Sequence, residues 1–450
     1  MRLLSILTLC LAPLAFAADQ TAGRGPLQLS LKRAVELATS KEGNTNIQLA
    51  GEALAQAESR SSEARAALLP NLDAAFADQS STRNLAAMGL TSIAIPIPGF
   101  HFPPFVGPFT TMDARITGSQ TVFDFGSIRR FQASKVGVSA AKSGVEDTAE
   151  RVASQVARAY LAAVKADTDV ETAQSNVTLS QAVEAQAEHQ KTAGTGTGIE
   201  ITRAKVQLAN NQQELLAAQN VRRAAHLRLL RAMGLRLDTE MELTDKLQYV
   251  PVDAVTLAQA QAQAIQKRPD LQEQQEREAN ARLSASATRM ERLPSVMAFG
   301  DYGDNGTGLG SALPTRTYGI SVKVPIFDGG RRDARRAESD SQYRSEKLRT
   351  NDLKEQIELD VRLALDELRS ADDEVKVSRE GLQLAENELT QARRRYEAGV
   401  ANSLEVTDAQ TRLERARDNQ TAALYGYNVA RLDLAQAMGN VRAAASERRP

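Results

Sequence analysis

Acidic side chains follow two glycine turns that are similar in sequence. Residues 394–414 read RRYEAGVANSLEVTDAQTRLE, and residues 189–209 read HQKTAGTGTGIEITRAKVQLA. Glu405 and Asp408 are three residues apart, a spacing that puts both carboxylates on one face of a helix. Such carboxylates could attract cations in a narrow passage. They could equally be solvated acids in a first helical turn, where the helix dipole favours negative charge.

Other patterns that are typical of catalysis or ligand binding are weak. The segment 192–198, TAGTGTG, follows a predicted helix and lacks the Lys-Ser/Thr ending of a phosphate-binding loop, so we interpret it as a flexible turn. His101, His189 and His226 do not have the spacing of metal ligands. No localised Ser/His/Asp or paired-carboxylate arrangement indicates catalysis. We therefore predict that the protein is not an enzyme and has neither a metal nor another cofactor.

The N-terminus has the pattern of a secretory signal. Arg2 precedes the apolar run Leu3–Leu14, and residues 15–17, AFA, are typical of a cleavage site. The only cysteine, Cys10, lies inside this segment and away from the cleavage point. We therefore expect residues 1–17 to be removed without lipid attachment, leaving a chain without disulfides. A formal net charge of −1 gives no indication of nucleic-acid binding.

The two glycine turns belong to a tandem duplication of the whole chain. The motif FDxG begins at residues 123 and 327, and AMG begins at 232 and 437. The motif LP begins at 69 and 293, a wider offset, so the first half has an insertion between Pro70 and Phe123. Two structurally equivalent units are predicted at 18–250 and 251–440, followed by a C-terminal tail at 441–450.

Each half predicts two long helices joined by a glycine turn. Small or apolar residues recur at three- and four-residue steps from Leu353 to Tyr396, which is typical of a coiled coil. No proline interrupts 127–192 or 331–397, so each of these helices could reach about 100 Å at 1.5 Å per residue. The returning helices are predicted at about 199–233 and 402–438. The helices alone would also fit a soluble periplasmic coiled-coil scaffold without a channel.

Two strand-like stretches precede the long helices in each half. Residues 112–119, MDARITGS, and 317–324, TYGISVKV, alternate polar and apolar side chains, which is typical of outer-membrane barrel strands of about 9–11 residues. Four strands cannot close a barrel, and lipid tolerates no open sheet edge, so a barrel would have to be shared between chains. This alternation argues against the scaffold. The four strands are predicted at about 71–82, 109–123, 295–303 and 316–325.

The duplication, the Leu-Pro and Phe-Asp-x-Gly junctions and the two glycine turns with following acids resemble the TolC family over about residues 27–440. The resemblance implies a mainly α fold with a membrane β-barrel portion, in a homotrimer where twelve strands form one barrel and twelve helices form a periplasmic tube. It also implies a passive outer-membrane exit duct of a tripartite efflux or type I secretion system, for drugs, other small molecules, metal ions or secreted protein. The implied partners are outer-membrane lipid, a periplasmic adaptor protein and, through the adaptor, an inner-membrane pump of the RND or ABC type.

The resemblance further implies a gate at the periplasmic end of the tube. Glu405 and Asp408 match acidic positions of the constriction, Glu200 matches another acid of the gate region, and Tyr396 matches a tyrosine of the gate network. Ala401 stands where TolC has an arginine that ties the closed state together. Another arginine would have to take that part. The candidates are Arg393, Arg394, Arg395 and Arg203.

The sequence also predicts where the hairpin tips and one loop lie. Gly194, Gly399 and Val400 are implied to form the hairpin tips that dock the adaptor. The apolar, Pro- and Phe-rich loop at 93–109 lies between two strands of the first half, so it is expected on the extracellular side.

Overall fold

The structure is a computed structural model that describes residues 26–40, 42–93, 97–99, 101–252, 255–308 and 310–446. The predicted signal sequence lies outside the described residues. The first half contains β1 (Leu27–Leu29), α1 (Leu31–Thr39), α2 (Thr45–Ala66), β2 (Asn71–Asn84), β3 (Phe105–Phe123), α3 (Phe125–Thr192), α4 (Gly198–Met233) and β4 (Met241–Leu243). The second half contains α5 (Leu257–Lys267), α6 (Pro269–Met290), β5 (Ser295–Gly306), β6 (Leu313–Lys323), α7 (Arg331–Glu397), α8 (Ser403–Ala437) and α9 (Val441–Ser446).

The long helices have nearly the predicted bounds. α3 has 68 residues and α7 has 67, so each extends about 100 Å at 1.5 Å per residue. α3 begins where the Asp124 carboxylate accepts the backbone N–H groups of Gly126 and Ser127 at 3.0 and 3.2 Å. In the second half the equivalent carboxylate, Asp328, accepts the Arg332 amide at 3.2 Å. Among the described residues, no helix combines the length and the apolarity needed to cross a membrane.

The strands form one antiparallel sheet in the order β2-β3-β5-β6. Its register aligns Leu72 with Gly118, Gly118 with Gly300, and Gly300 with Tyr318, so one row crosses all four strands. Side chains on that face are mainly apolar and exposed. On the opposite face Arg115 pairs with Asp113 and Asp301. The exposed large apolar side chains of the first face are Leu72, Phe76, Ile116, Tyr302, Tyr318, Ile320 and Val322.

Strand bounds differ from the prediction mainly at the loop ends. β2, β3, β5 and β6 all extend further toward the connecting loops than the alternating pattern indicated, because cross-strand hydrogen bonds continue where the alternation stops. The loop predicted at 93–109 therefore ends at residue 104. β6 ends at Lys323, ahead of the predicted bound of 325, since Pro325 has no N–H to donate to a ladder.

The main hydrophobic core lies at the middle of α3, where the short elements pack against that helix. β1 and β4 form a parallel pair that the sequence pattern did not predict, because three residues are too few to show alternation. The Tyr160 hydroxyl donates to the Leu29 carbonyl at 2.9 Å, which fastens β1 to α3. Within the predicted tail at 441–450, residues 441–446 form the short helix α9, whose Val441 is fully buried and whose Arg442 pairs with Glu150 at 2.6 Å.

Candidate functional site

The two glycine turns have the same backbone geometry. Gly194 and Gly399 lie in the left-handed region, with φ of 77° and 70°. The residue after each glycine donates its N–H five residues back, Thr195 to Gln190 at 2.9 Å and Val400 to Arg395 at 3.0 Å. This hydrogen-bond pattern ends a helix and turns the chain sharply, and glycine adopts it without strain. The duplication has therefore kept the turn itself intact.

The helices that follow the turns begin differently. The Glu200 carboxylate accepts the backbone N–H of Thr197 at 2.8 Å, so this acid caps its own helix. In the second hairpin the Asn402 side chain accepts the Glu405 amide at 3.2 Å and supplies the cap instead. The sequence signal for the first arrangement was present, because Thr197-x-x-Glu200 is the pattern of a capping box. Glu405 therefore keeps its carboxylate available for another partner.

That partner is Arg395, on the other arm of the same hairpin. The Arg395 Nε lies 2.9 Å from the Glu405 Oε1, and both side chains are about half exposed, at 57% and 42%. Arg395 is thus the member of the four arginine candidates that contacts a gate-region acid. Asp408 lies one helical turn further along α8 and is exposed. The second tip therefore presents two carboxylates on one face, one of them paired.

Tyr396 connects the two hairpins. Tyr396 is 9% exposed and belongs to an apolar cluster with Leu389 and Val406. The α3 residue Leu179 packs against this cluster. The Tyr396 hydroxyl donates to the Gln190 Oε1 of the first hairpin. Burial raises the pKa of Tyr396, the charge of Glu200 raises it further, and the hydrogen bond with Gln190 opposes both. The hydroxyl therefore remains a neutral donor at physiological pH.

A polar seam lies deeper between the hairpins, and the sequence analysis did not predict it. Asn211 is 1% exposed, and its side-chain amide donates to Ser180 Oγ at 2.7 Å and to Glu414 Oε1 at 3.0 Å. Burial raises the pKa of Glu414, the Asn211 bond opposes this, and the charges of Glu214 and Asp418 raise it again. A polar residue such as Ser180 within an otherwise apolar stripe was the signal that could have indicated this seam.

The tips also expose apolar side chains. Val400, Ile199 and Leu404 are 69%, 59% and 46% exposed, and they lie near turns whose glycines Gly194 and Gly399 have open space around them. The described residues contain no group of three or more His, Cys, Asp or Glu side chains that could hold a metal ion. The site is thus an end surface of two linked hairpins, with carboxylates, one ion pair and an apolar rim.

A sheet with one exposed apolar face, joined to helices about 100 Å long, is the architecture of an outer-membrane channel. Solved channels share it. The outer membrane channel CmeC of Campylobacter jejuni gives a TM-score of 0.78 at 16% identity, covering 91% of this chain and 85% of that one. The outer membrane protein VceC of Vibrio cholerae gives 0.76 at 17% identity, covering 91% and 96%. The open-state outer membrane channel MtrE of Neisseria gonorrhoeae gives 0.75 at 17% identity, covering 91% and 89%.

The sequence comparisons agree with the fold. The family model described as Outer membrane efflux protein matches residues 37–235 and 261–440, one segment in each half. The chain belongs to this family. A curated relative, the pyoverdine export outer membrane protein OpmQ of Pseudomonas putida KT2440, is 24% identical over 351 residues, which cover 74% of this chain and 69% of the relative.

The protein is thus an outer-membrane efflux channel with a TolC-like, tandem-duplicated fold, as the sequence resemblance predicted. Its family and its fold are those of passive channels rather than of enzymes.

Proposed function

We propose that three copies of this chain form a passive exit duct from the periplasm to the exterior. The observation that carries the proposal is the sheet, which exposes one mainly apolar face and ends in two edge strands, β2 and β6. Lipid favours such a face but does not tolerate open edges, so copies must pair edge to edge. Three copies of four strands make the twelve-stranded barrel that the family resemblance implies, and the long helices continue it as a periplasmic tube.

The hairpin tips form the periplasmic gate of this duct. Three copies of Glu405 and Asp408 place six carboxylates around one opening, where their fields add and attract cations. Arg395 takes the part of the arginine that Ala401 replaces, since it holds Glu405 at 2.9 Å. Tyr396 ties each second hairpin to the first. Opening therefore requires the hairpins to separate at these contacts.

The apolar rim beside Gly194, Gly399 and Val400 docks a periplasmic adaptor. Exposed apolar side chains that cluster beside open turns are typical of a protein–protein contact. The adaptor in turn connects the duct to an inner-membrane pump of the RND or ABC type, which supplies the energy and selects the cargo. The name of the OpmQ relative, which is a pyoverdine export protein, favours efflux over type I secretion as the first pathway to examine.

The test of the duct is fractionation followed by bilayer recording. We expect the mature chain in the outer-membrane fraction, as an oligomer on gels that heating converts to the monomer, with steady conductance after purification and reconstitution. Recovery as a soluble protein without conductance would instead support the coiled-coil scaffold. A vesicle flux assay with a small dye would confirm that the pathway crosses the bilayer.

The two faces of the sheet give a sharper test. Tyr318 lies near the middle of β6 on the mainly apolar face, and neighbouring Thr317 lies on the polar face. Arginine at a lipid-facing position near the membrane midplane costs roughly 2–4 kcal/mol. Tyr318→Arg should therefore strongly reduce the heat-sensitive oligomer, whereas Thr317→Arg, which points into the lumen, should be milder. Equal losses would show that the face assignment is wrong.

A further inference from the structure

A basic cavity lies where the sheet meets the long helices, and neither the proposed gate nor the proposed docking surface uses it. This junction cavity has a volume of about 530 Å³ and is bounded by the starts of β5, α3 and α7 and by the end of β6. Three carboxylates and five basic side chains line it, so each chain has an excess of two positive charges there. The basic residues are Arg130, Lys323, Arg331, Arg332 and Arg335.

The three carboxylates of the junction cavity are already occupied. Glu291 lies between Arg130 and Arg335, at 3.3 and 3.2 Å. Asp328 holds Arg332 at 2.9 Å, and only 13% of the Arg332 side chain is exposed. The third carboxylate accepts the first backbone N–H groups of α3. These pairs join the start of α3, the end of α6 and the start of α7 into one rigid wall of the cavity.

Two basic side chains of the cavity are left without a close partner. Arg331 is 75% exposed, and its Nε lies 3.9 Å from Asp328, which already holds Arg332. In the part of the chain that the structure describes, no carboxylate pairs with Lys323, which is exposed. Both side chains are therefore free to bind an anion.

The register of the sheet shows which way the junction cavity faces. Lys323 lies opposite Ser295, which also lines the cavity, and Thr317 lies opposite Asp301. Successive side chains of a strand alternate between the two faces, so Lys323, six residues after Thr317, lies on the same face as Asp301 and its partner Arg115. This is the polar face of the sheet, which lines the lumen of the proposed duct.

The first half of the chain lacks these two charges. The 204-residue offset of the FDxG motif aligns Lys323 with Ser119. The two residues that follow the motif are Arg331 and Arg332 in the second half, and serine and isoleucine at 127 and 128 in the first. The dipole of a helix disfavours basic side chains in its first turn, so the start of α7 gains no stability from its two arginines there. The charge therefore points to a ligand rather than to a structural role.

We propose that the junction cavities of three copies form a basic belt that binds organic anions in the lumen of the duct. Lys323 and Arg331 would supply six unpaired positive charges around one passage, where their fields add. The ligands are small molecules with several carboxylate, phosphate or sulfonate groups, because guanidinium groups bind such oxygens through paired hydrogen bonds. The duct would then have an acidic opening at the tips and a basic belt at its membrane end.

This inference rests on the proposed function for the lumen and for the number of copies. The probe is pyranine, a fluorescent dye with three sulfonate groups, added to the extracellular side of the channel in a bilayer. We expect reversible block of the current that weakens as the ionic strength rises. Lys323→Gln with Arg331→Gln should weaken the block by at least about tenfold, since charged clefts concentrate counter-ions by about that factor or more. Lys323→Arg with Arg331→Lys keeps the charges and should retain the block.

The matched control is Arg336→Gln with Lys347→Gln, which removes the same charge from α7. At about 100° per residue, these side chains lie about 140° and 160° around the helix from Arg331, and neither lines the junction cavity. The control should bind pyranine as the wild type does. Fluorescence anisotropy of pyranine with the purified proteins measures the same difference without requiring a current.

A conducting, heat-sensitive oligomer that does not bind pyranine would overturn the basic belt and leave the duct standing. An equal loss of binding in the control would overturn it as well, because the effect would then come from net charge rather than from the cavity. A wild-type chain without oligomer and conductance would instead contradict the proposed function. Anisotropy would still show in that case whether Lys323 and Arg331 bind the anion.

Discussion

The two hairpin tips share one backbone turn but use their charged side chains differently. In the first hairpin Glu200 caps its own helix, and the residue three positions later is Arg203. In the second hairpin Glu405 pairs with Arg395 across the turn, and the residue three positions later is Asp408. Duplication kept the geometry of the turn, while the acidic face developed only on the second copy.

This difference teaches that position alone does not assign a role to an acid. Both acids stand at the same place after the same turn, which is why sequence comparison groups them. The structure separates them by their hydrogen-bond partners. A carboxylate that accepts a backbone N–H at the start of its own helix has less freedom to face a pore. The following changes either break this contrast or sharpen it.

The largest effect should come from removing both acids of the second tip. Glu405→Ala with Asp408→Ala should reduce the cation selectivity of single-channel current and abolish block by multivalent cations added from the periplasmic side. The matched double variant is Glu200→Ala with Arg203→Ala in the first tip. It should leave selectivity nearly unchanged, because its charges cancel and its acid is occupied by the cap. Equal effects in both tips would remove the contrast.

Alanine substitution should destabilise the two glycine turns by the same amount. Gly194→Ala and Gly399→Ala each place a side chain in the left-handed region, which costs about 1–2 kcal/mol for a residue with Cβ. Open space surrounds both positions, so the penalty is one of backbone conformation and should be equal. Thermal unfolding of the purified oligomer, or hydrogen exchange of the tip amides, measures it. A clear difference between the two variants would show that the turns are not equivalent in solution.

Removing the hydrogen bond between the two hairpins should have a smaller effect. Tyr396→Phe keeps the ring packed but leaves Gln190 without its donor, at a cost of about 1 kcal/mol. If this bond holds the tips together, the open probability in bilayers should rise by about fivefold. Tyr425→Phe, a tyrosine on α8 far from the tips, serves as the control and should not change opening.

The sequence was sufficient for elements that repeat over many residues and insufficient for those held by packing. The proline-free stripes of α3 and α7 placed both helices within two residues. Arg442 illustrates the opposite case: α9 has six residues, too few for a detectable period, and it is stabilised by Val441 in the core and by the pairing of Arg442 with Glu146 and Glu150.

The candidate site also has features that the sequence predicted and features that it did not. The turn glycines and the spacing of Glu405 and Asp408 could be read directly from the sequence. The pairing of Arg395 with Glu405 could not, because the sequence left four arginine candidates and only the geometry of the turn selects one. Asn211 was missed because its partners Ser180 and Glu414 lie on two other helices, α3 and α8.

The smallest effect concerns pH and the seam between the hairpins. Glu414 lies beside Asn211, and the first hairpin has Ala209 at the equivalent position, so only the second hairpin carries a titrating group there. Burial, together with the nearby acids Glu214 and Asp418, holds the pKa of Glu414 above the ordinary value of a glutamate.

Because the folded protein binds this proton more tightly than the unfolded chain does, ionisation of Glu414 destabilises the fold. The penalty is absent below the unfolded pKa and grows as the pH rises from about 4.5 through the raised folded pKa. Glu414→Gln should therefore match the wild type at low pH and exceed its thermal stability progressively on the alkaline side, reaching a constant difference. Unfolding temperatures of both proteins across this range measure the gap. A gap that stays constant from below pH 4.5 upward would mean that Glu414 titrates normally and that the seam does not distinguish the hairpins.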